Sequence, residues 1–410
     1  MSKTKILNFC QRATEFSLCL VVFSIPVSIA ITNIGIGLCF IFWLIRKILN
    51  KDWRLANTPI NIFLFLLILA SLSSMFNSTK ISSSITGMHK LFKGIILFFI
   101  YVETINDSKK LGKIIWSALF GLILVSLDGV YQYFRGVDFI RGFPIGTGLQ
   151  YLDQNSGARI KASMHNPNDF GSYLITVVPI LLSLVLFHLK GLKRWVLVLA
   201  GFMSLFCMFF TFQRIVGVAF LIIMILFSAI KKDKKPLIIL SALILVSAYF
   251  LPKTILQWSV HHLNPYDFFI EAGGRRWHWQ AAMNMIRAHP IIGIGVNTFS
   301  ASYDKYKIST DPLSGFYAHN TYLQLTAEIG LIGLAVFIAM IISAVRGWWL
   351  NYRKINAAGL QAISLGVFAG FVGYLVSGIL ESNFQYSNLT VLFWVMMGLM
   401  AAISRISTEA

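Results

Sequence analysis

Charge is what this sequence has least of. Only 12% of its 410 residues are Asp, Glu, Lys or Arg, against about 25% in an ordinary soluble domain. Acids are the scarcest, with 16 against 35 basic residues, and the formal net charge is +19. That excess does not imply a nucleic-acid partner. The basic residues sit in short clusters between apolar runs and form no groove-sized patch with interleaved aromatics. Cysteine is also scarce. Cys10, Cys19, Cys39 and Cys207 show no metal-ligand spacing, and all but Cys10 lie inside apolar runs, which argues against a disulfide framework or a zinc site. No Asp-x-Asp pair or His/Cys cluster offers a metal site, so none is expected. The Gly293–Ile294–Gly295 run lacks the strand context of a dinucleotide fingerprint, and no cofactor is expected. There is no fixed-period repeat and no low-complexity stretch.

Apolar residues fill the space left by charge, at 57% of the chain. Runs long enough to cross a bilayer recur along most of its length. Twelve spans are predicted, near 15–31, 34–50, 59–76, 88–103, 113–132, 170–188, 193–210, 213–230, 236–251, 321–345, 360–380 and 386–404. Each must be helical, because lipid cannot satisfy open backbone groups. The fold expected is an all-α membrane protein, a single polytopic domain over residues 1–410. Lys3, Lys5 and Arg12 before the first run read as the flank of an uncleaved span, since a second apolar run follows almost at once. With the N-terminus in the cytoplasm, most Lys and Arg residues fall in short cytoplasmic loops, the "KKDKK" cluster at 231–235 among them. Both termini are then cytoplasmic. Two longer segments fall outside, a shorter loop over 133–169 and a large one over 252–320 between spans nine and ten. Both are rich in Trp, Tyr, Phe and Gly. The large loop therefore reads as a folded cap, with Trp279, Ala282, Met283 and Ile286 at helical spacing and Pro290 ending that helix.

Four outward clusters carry polar residues able to do chemistry. In "RIKASMHNPNDFGSYL", Arg159 and Lys161 precede a helix start that Asn168 or Asp169 can cap. A helix N-terminus beside cations is an anion site, although this cluster taken alone reads first as a capped helix with interfacial cations. His165 lies in the same stretch, with no role fixed by the sequence. Arg214 begins an apolar run near the outer face, where a charge must snorkel, pair or line a wet cavity. Arg275 and Arg276 open the loop helix, and guanidinium forks match phosphate oxygens. In "AHNTYLQLTAEIGLIGL", His319 stands where the large loop returns to the membrane, and a histidine can exchange a proton near neutral pH. Asn320 and Gln324 are its polar neighbours. Glu328 lies about two turns deeper, either a functional intramembrane acid or a helix–helix tie. Several arginines and one histidine thus converge on the outer helix ends. Without a metal site, guanidinium groups must meet an anionic leaving group, which fits loss of a pyrophosphate.

These four motifs resemble those of the O-antigen ligase and polymerase superfamily of bacterial envelope proteins, over roughly residues 155–345. The stretch Arg159 to Asn168 is similar to the family's arginine followed by an Asn-Pro-Asn helix start. Arg214 sits at a family arginine, although this chain has Gln213–Arg214–Ile215 where Ser-Arg-Gly is common. Arg275 with Trp279, Pro290 and "IIGIG" resembles the large-loop signature, in which Arg276 has no fixed place. The run "HNTYLQLTAEIGLIGL" resembles the His-Asn motif. The resemblance implies a GT-C-like, metal-independent, inverting glycosyltransferase of the bacterial inner membrane, active on its periplasmic side. The implied donor is an undecaprenyl-pyrophosphate-linked glycan. In the ligase branch the implied acceptor is lipid A–core, and the product completes lipopolysaccharide. His319, Arg275 and Arg214 would be catalytic. Arg159, Lys161, Asn168, Arg276, Asn320, Gln324 and Glu328 would bind substrate. The alternatives are an O-antigen polymerase, whose acceptor is a second lipid-linked glycan, a protein O-oligosaccharyltransferase, and a transporter of a lipid-linked sugar. Broken helices paired at midplane and internal repeats would mark the last, and neither is evident. Membrane lipid surrounds the protein in every case.

Overall fold

A computed structural model describes residues 2–147, 158–250, 275–313 and 317–409. Much of the predicted cap, including Gly273 and Gly274, and the centre of the shorter loop lie outside these residues. The described chain is almost wholly helical. Nine helices precede the large loop: α1 (Lys3–Ser24), α2 (Ile29–Asn50), α3 (Asn61–Ser74), α4 (Ile81–Thr104), α5 (Ser108–Arg135), α6 (Pro167–Phe187), α7 (Gly191–Phe210), α8 (Arg214–Lys231) and α9 (Lys235–Phe250). The loop contributes α10 (Arg275–Ala288) and α11 (Phe299–Tyr306), and α12 (Thr321–Tyr352), α13 (Ala358–Ser377) and α14 (Ser387–Glu409) close the bundle. The sole sheet among the described residues is a two-residue antiparallel pairing of β1 (Gly146–Thr147) with β2 (Ala158–Arg159).

Among the described residues, ten helices are long and apolar enough to cross a membrane. Two shorter apolar helices, Asn61–Asn77 and Lys235–Leu245, occupy the places of predicted spans three and nine. The protein is therefore a multi-pass membrane protein. Large apolar side chains stand exposed on the spans, such as Phe16, Trp195 and Leu192 at 69%, 69% and 81%. Such surface is unfavourable in water and matches hydrocarbon. The buried centre is α6, which packs most extensively on α13. Gly366 and Gly370 of α13 lie where a side chain would run into the α6 backbone at Ile180 and Thr176. This is the small-residue contact that lets helices approach in lipid.

The span edges differ from the sequence reading where local chemistry overrides hydropathy. The first span ends at Ser24 rather than near 31, because Pro26 cannot continue it and Ser28 caps α2 instead. Helix α12 runs on to Tyr352, since Trp348 is buried, stacks on Phe368 at 3.6 Å and donates from Nε1 to Ser364 Oγ at 2.9 Å.

One break inside a helix shapes the site. Gly330 interrupts α12 with φ +72° and ψ −179°, a left-handed φ that favours glycine. The freed carbonyls of Ala327 and Glu328 accept from Ile294 N and Gly295 N at 2.9 and 3.0 Å, while Leu331 N donates to Pro290 O at 2.9 Å. Residues 290–295 thus dock into the break, and the two glycine motifs of the sequence are two halves of one contact. A Cβ at Gly330 would meet the carbonyl of Ile291.

Candidate active site

The polar site forms where the first residues of α6, α8 and α12 meet the chain after α13, at the opposite end of α8 from Lys231. Each arginine arrives on a helix end or the short strand. Arg159 ends β2, and its guanidinium donates from Nε to Thr211 O at 2.7 Å and from Nη2 to Asn168 Oδ1 at 2.6 Å. Burial depresses its affinity for a proton, while nearby Glu381 favours the charged form. Asn168 therefore holds Arg159 and does not cap α6. The cap is Asn166, whose Oδ1 accepts from Asp169 N at 2.8 Å, with Pro167 as the first helical residue. Arg214 opens α8 within electrostatic reach of Arg275. Arg275 opens α10, with Nη2 at 3.4 Å from Glu381 Oε1.

His319 has a left-handed backbone, φ +49°, and its Nδ1 lies 3.5 Å from Glu381 Oε2. Asn320 follows as the N-cap of α12, its Oδ1 accepting from Tyr322 N and Leu323 N at 2.9 Å each. The cap fixes where the helix begins and so where the imidazole stands. Tyr317 lies against the imidazole, with ring centres 4.4 Å apart, and accepts from Tyr386 Oη at 2.6 Å. Burial raises the Tyr317 phenol above its ordinary range, so it stays a neutral hydroxyl. On α10, His278 is buried and meets the His319 ring edge to face at 5.4 Å.

Glu381 is the hub that sequence reasoning missed. It is 4% exposed, sits just beyond α13 and faces both Arg275 and His319. Its backbone oxygen accepts from Thr321 N at 3.0 Å and Thr321 Oγ1 at 2.7 Å, which ties it to the start of α12. Its scarcity was the available signal: an acid closing the apolar run "YLVSGILES" in a chain with 16 acids. His278 carried a fainter one, three residues after Arg275 and so on the same helix face. The buried face of α10 is His278, Ala281, Ala282 and Met285. It is rotated from the predicted stripe, of which Ala282 is shared and Met283 is exposed, because the helix seats on His319 and Tyr303 rather than on an apolar wall alone.

The structure divides the remaining candidates. Lys161 lies beyond the end of β2 and takes neighbours other than those of Arg159. Its Nζ lies 5.4 Å over the Phe143 ring, against which His165 also stacks. Arg276 lies over Trp277 at 4.3 Å. Gln324 donates to Glu328 Oε1 and to Gln385 Oε1, both at 3.3 Å. Glu328 accepts from Asn297 N at 2.7 Å and Phe299 N at 3.2 Å, and so ties the start of α11 to α12. Among the described residues, no three His, Cys, Asp or Glu side chains stand together as metal ligands.

The fold and this cationic cluster define a class: a polytopic helical membrane protein with guanidinium groups and an imidazole gathered at one end of its bundle. Residues 197–338 match the profile of a family described as O-antigen ligase, a stretch that holds Arg214, Arg275 and His319. Over that stretch the chain is similar to the O-antigen ligase superfamily. Among similar proteins is one from Rickettsia felis, named for a proposed polysaccharide ligase activity. It is 25% identical over 137 residues, 31% of this chain and 30% of that protein. A Rickettsia typhi protein of the same kind is 26% identical over 192 residues, 43% of this chain and 42% of its own length. The exopolysaccharide production protein ExoQ of Rhizobium meliloti is 29% identical over 82 residues, 18% of each chain. The chain thus spans less than half the length of each of these relatives in alignment.

Proposed function

We propose that this protein transfers a glycan from undecaprenyl pyrophosphate to a sugar hydroxyl of lipid A–core, on the periplasmic face of the bacterial inner membrane, with inversion and without a metal. The observation that carries the reading is Glu381 lying 3.5 Å from His319 and 3.4 Å from Arg275, beside Arg159 and with Arg214 near Arg275. Glu381 faces the Nδ1 side of the imidazole and leaves Nε2 for the acceptor. His319 takes the hydroxyl proton while the acceptor oxygen bonds the anomeric carbon. The bond from that carbon to the pyrophosphate oxygen breaks, and its electron pair departs with the pyrophosphate. Arg214 and Arg275 meet the departing charge, and stabilisation of this kind is usually the largest catalytic contribution. Arg159 supports the same anion. The basic cluster at 231–235, at the other end of α8, supports the assignment of side.

A second reading, a polymerase that extends a lipid-linked glycan, is favoured by the likeness to a protein named for exopolysaccharide production. One assay separates the readings. Purified protein in detergent with EDTA receives lipid-linked glycan and either lipid A–core or more lipid-linked glycan. Product with lipid A–core alone supports the ligase, and product with the second lipid-linked glycan supports the polymerase. Absence of both, with normally inserted protein, overturns transfer. Loss of product on His319→Ala, by about 10²–10⁴-fold, is expected of the general base.

A further inference from the structure

A cavity of about 100 Å³ opens between α3, α4, α12 and α14, none of which carries an arginine of the site. It reaches that site through two residues. Thr321 binds the Glu381 carbonyl, and Ser382 follows Glu381 in the chain. Only two lining residues are charged, Lys90 and Glu328. Asn297 bridges them, accepting from Lys90 Nζ at 3.2 Å and donating from its backbone to Glu328 at 2.7 Å. The opposed charges cancel, so the lining selects neither an anion nor a cation. Ser382 is 2% exposed, and its hydroxyl has no hydrogen-bond partner. Phe393 and Trp394 supply an apolar wall.

A volume of this size holds several waters or one ring-sized group. Neutral hydrogen-bonding side chains facing aromatic carbon suit a molecule with hydroxyls on its edge and C–H groups on its faces. An alkyl chain would leave the Ser382 hydroxyl without compensation. Resting on the transfer reading above, we infer that this cavity seats a neutral pyranose ring of the acceptor and presents a hydroxyl towards His319, while the donor anion lies with the arginines.

The probes are a panel of neutral methyl pyranosides and, as the charged counterpart, methyl glucuronide. Binding is read by saturation-transfer NMR on the full chain in detergent. At least one neutral pyranoside is expected to bind the wild type, and methyl glucuronide is not. Loss of two polar contacts in a Ser382→Ala, Gln385→Leu variant is expected to weaken binding by about tenfold or more. Gln385→Glu keeps the size of the side chain and adds a charge, so it tests the same point if the double variant does not fold. In the transfer assay these variants raise the acceptor KM by a similar factor and leave the donor KM unchanged. Arg275→Lys does the reverse. The cavity assignment falls if no pyranoside binds the wild type, if saturation reaches only the chain protons of an alkyl glycoside, or if folded variants keep both sugar binding and acceptor KM. Binding requires no turnover. A wild type that binds sugar yet transfers nothing overturns the transfer reading alone.

Discussion

Replacing Glu381 by glutamine removes one charge and almost no volume. The carboxylate is 4% exposed and lies 3.4 Å from Arg275 and 3.5 Å from His319. At an effective dielectric of about 20, the Glu381–Arg275 unit-charge pair at 3.4 Å is worth roughly 5 kcal/mol of gross Coulomb energy. Desolvation offsets much of this, and removing one partner of a buried pair costs about 3–5 kcal/mol in measured cases. Part of that appears as lower stability, and part as a misdirected imidazole and a freer Arg275. We expect Glu381→Gln to lower kcat by about 10²-fold, near 2.7 kcal/mol of barrier, and to raise the donor KM several-fold. Glu381→Asp keeps the charge on a shorter arm and should recover part of the loss. Steady-state transfer with donor and acceptor varied separately, beside a melting curve for each variant, measures this. A folded Glu381→Gln protein with kcat within about twofold of wild type would refute the role given to the carboxylate.

Three further outcomes follow from the geometry. Arg275→Lys retains charge but loses the planar fork, so transfer should fall by about tenfold or more if phosphate is gripped bidentately, read as donor KM and kcat. Gly330→Ala forces a side chain into left-handed backbone and against the Ile291 carbonyl, at a cost of about 1–3 kcal/mol, seen as a lower melting temperature. Glu328→Leu leaves the backbone N–H groups of Asn297 and Phe299 without their acceptor, a loss of about 1–3 kcal/mol for each buried donor, again read in melting. Wild-type melting in either of the last two would contradict the account of the α12 break.

The helices were legible because hydrocarbon imposes a single requirement, an apolar run of sufficient length, and composition states it directly. Pro290 marked the end of the loop helix, whereas the stop at Pro26 was overridden by hydropathy and the first span was drawn too long. The buried end of α12 was not legible, since Trp348 owes its place to Ser364 and Phe368 in another helix. In the site, Arg159, Arg214 and His319 stood out as polar residues near the starts of spans, and Arg275 at the start of the loop helix. What could not be read was pairing. Glu381 lies 62 residues after His319 and 106 after Arg275 in sequence, and neither periodicity nor spacing links them. Arg159 and Lys161 looked alike in sequence, yet Arg159 bonds Asn168 while Lys161 lies over Phe143.

The docking of residues 290–295 into the interrupted α12 has a mechanical consequence. Backbone bonds splint the stretch behind α10 to the helix that begins beside His319, so α10 cannot swing away without shearing them. Arg275 and His319 are therefore carried on one yoke, their spacing set by that splint at one end and by Glu381 at the other.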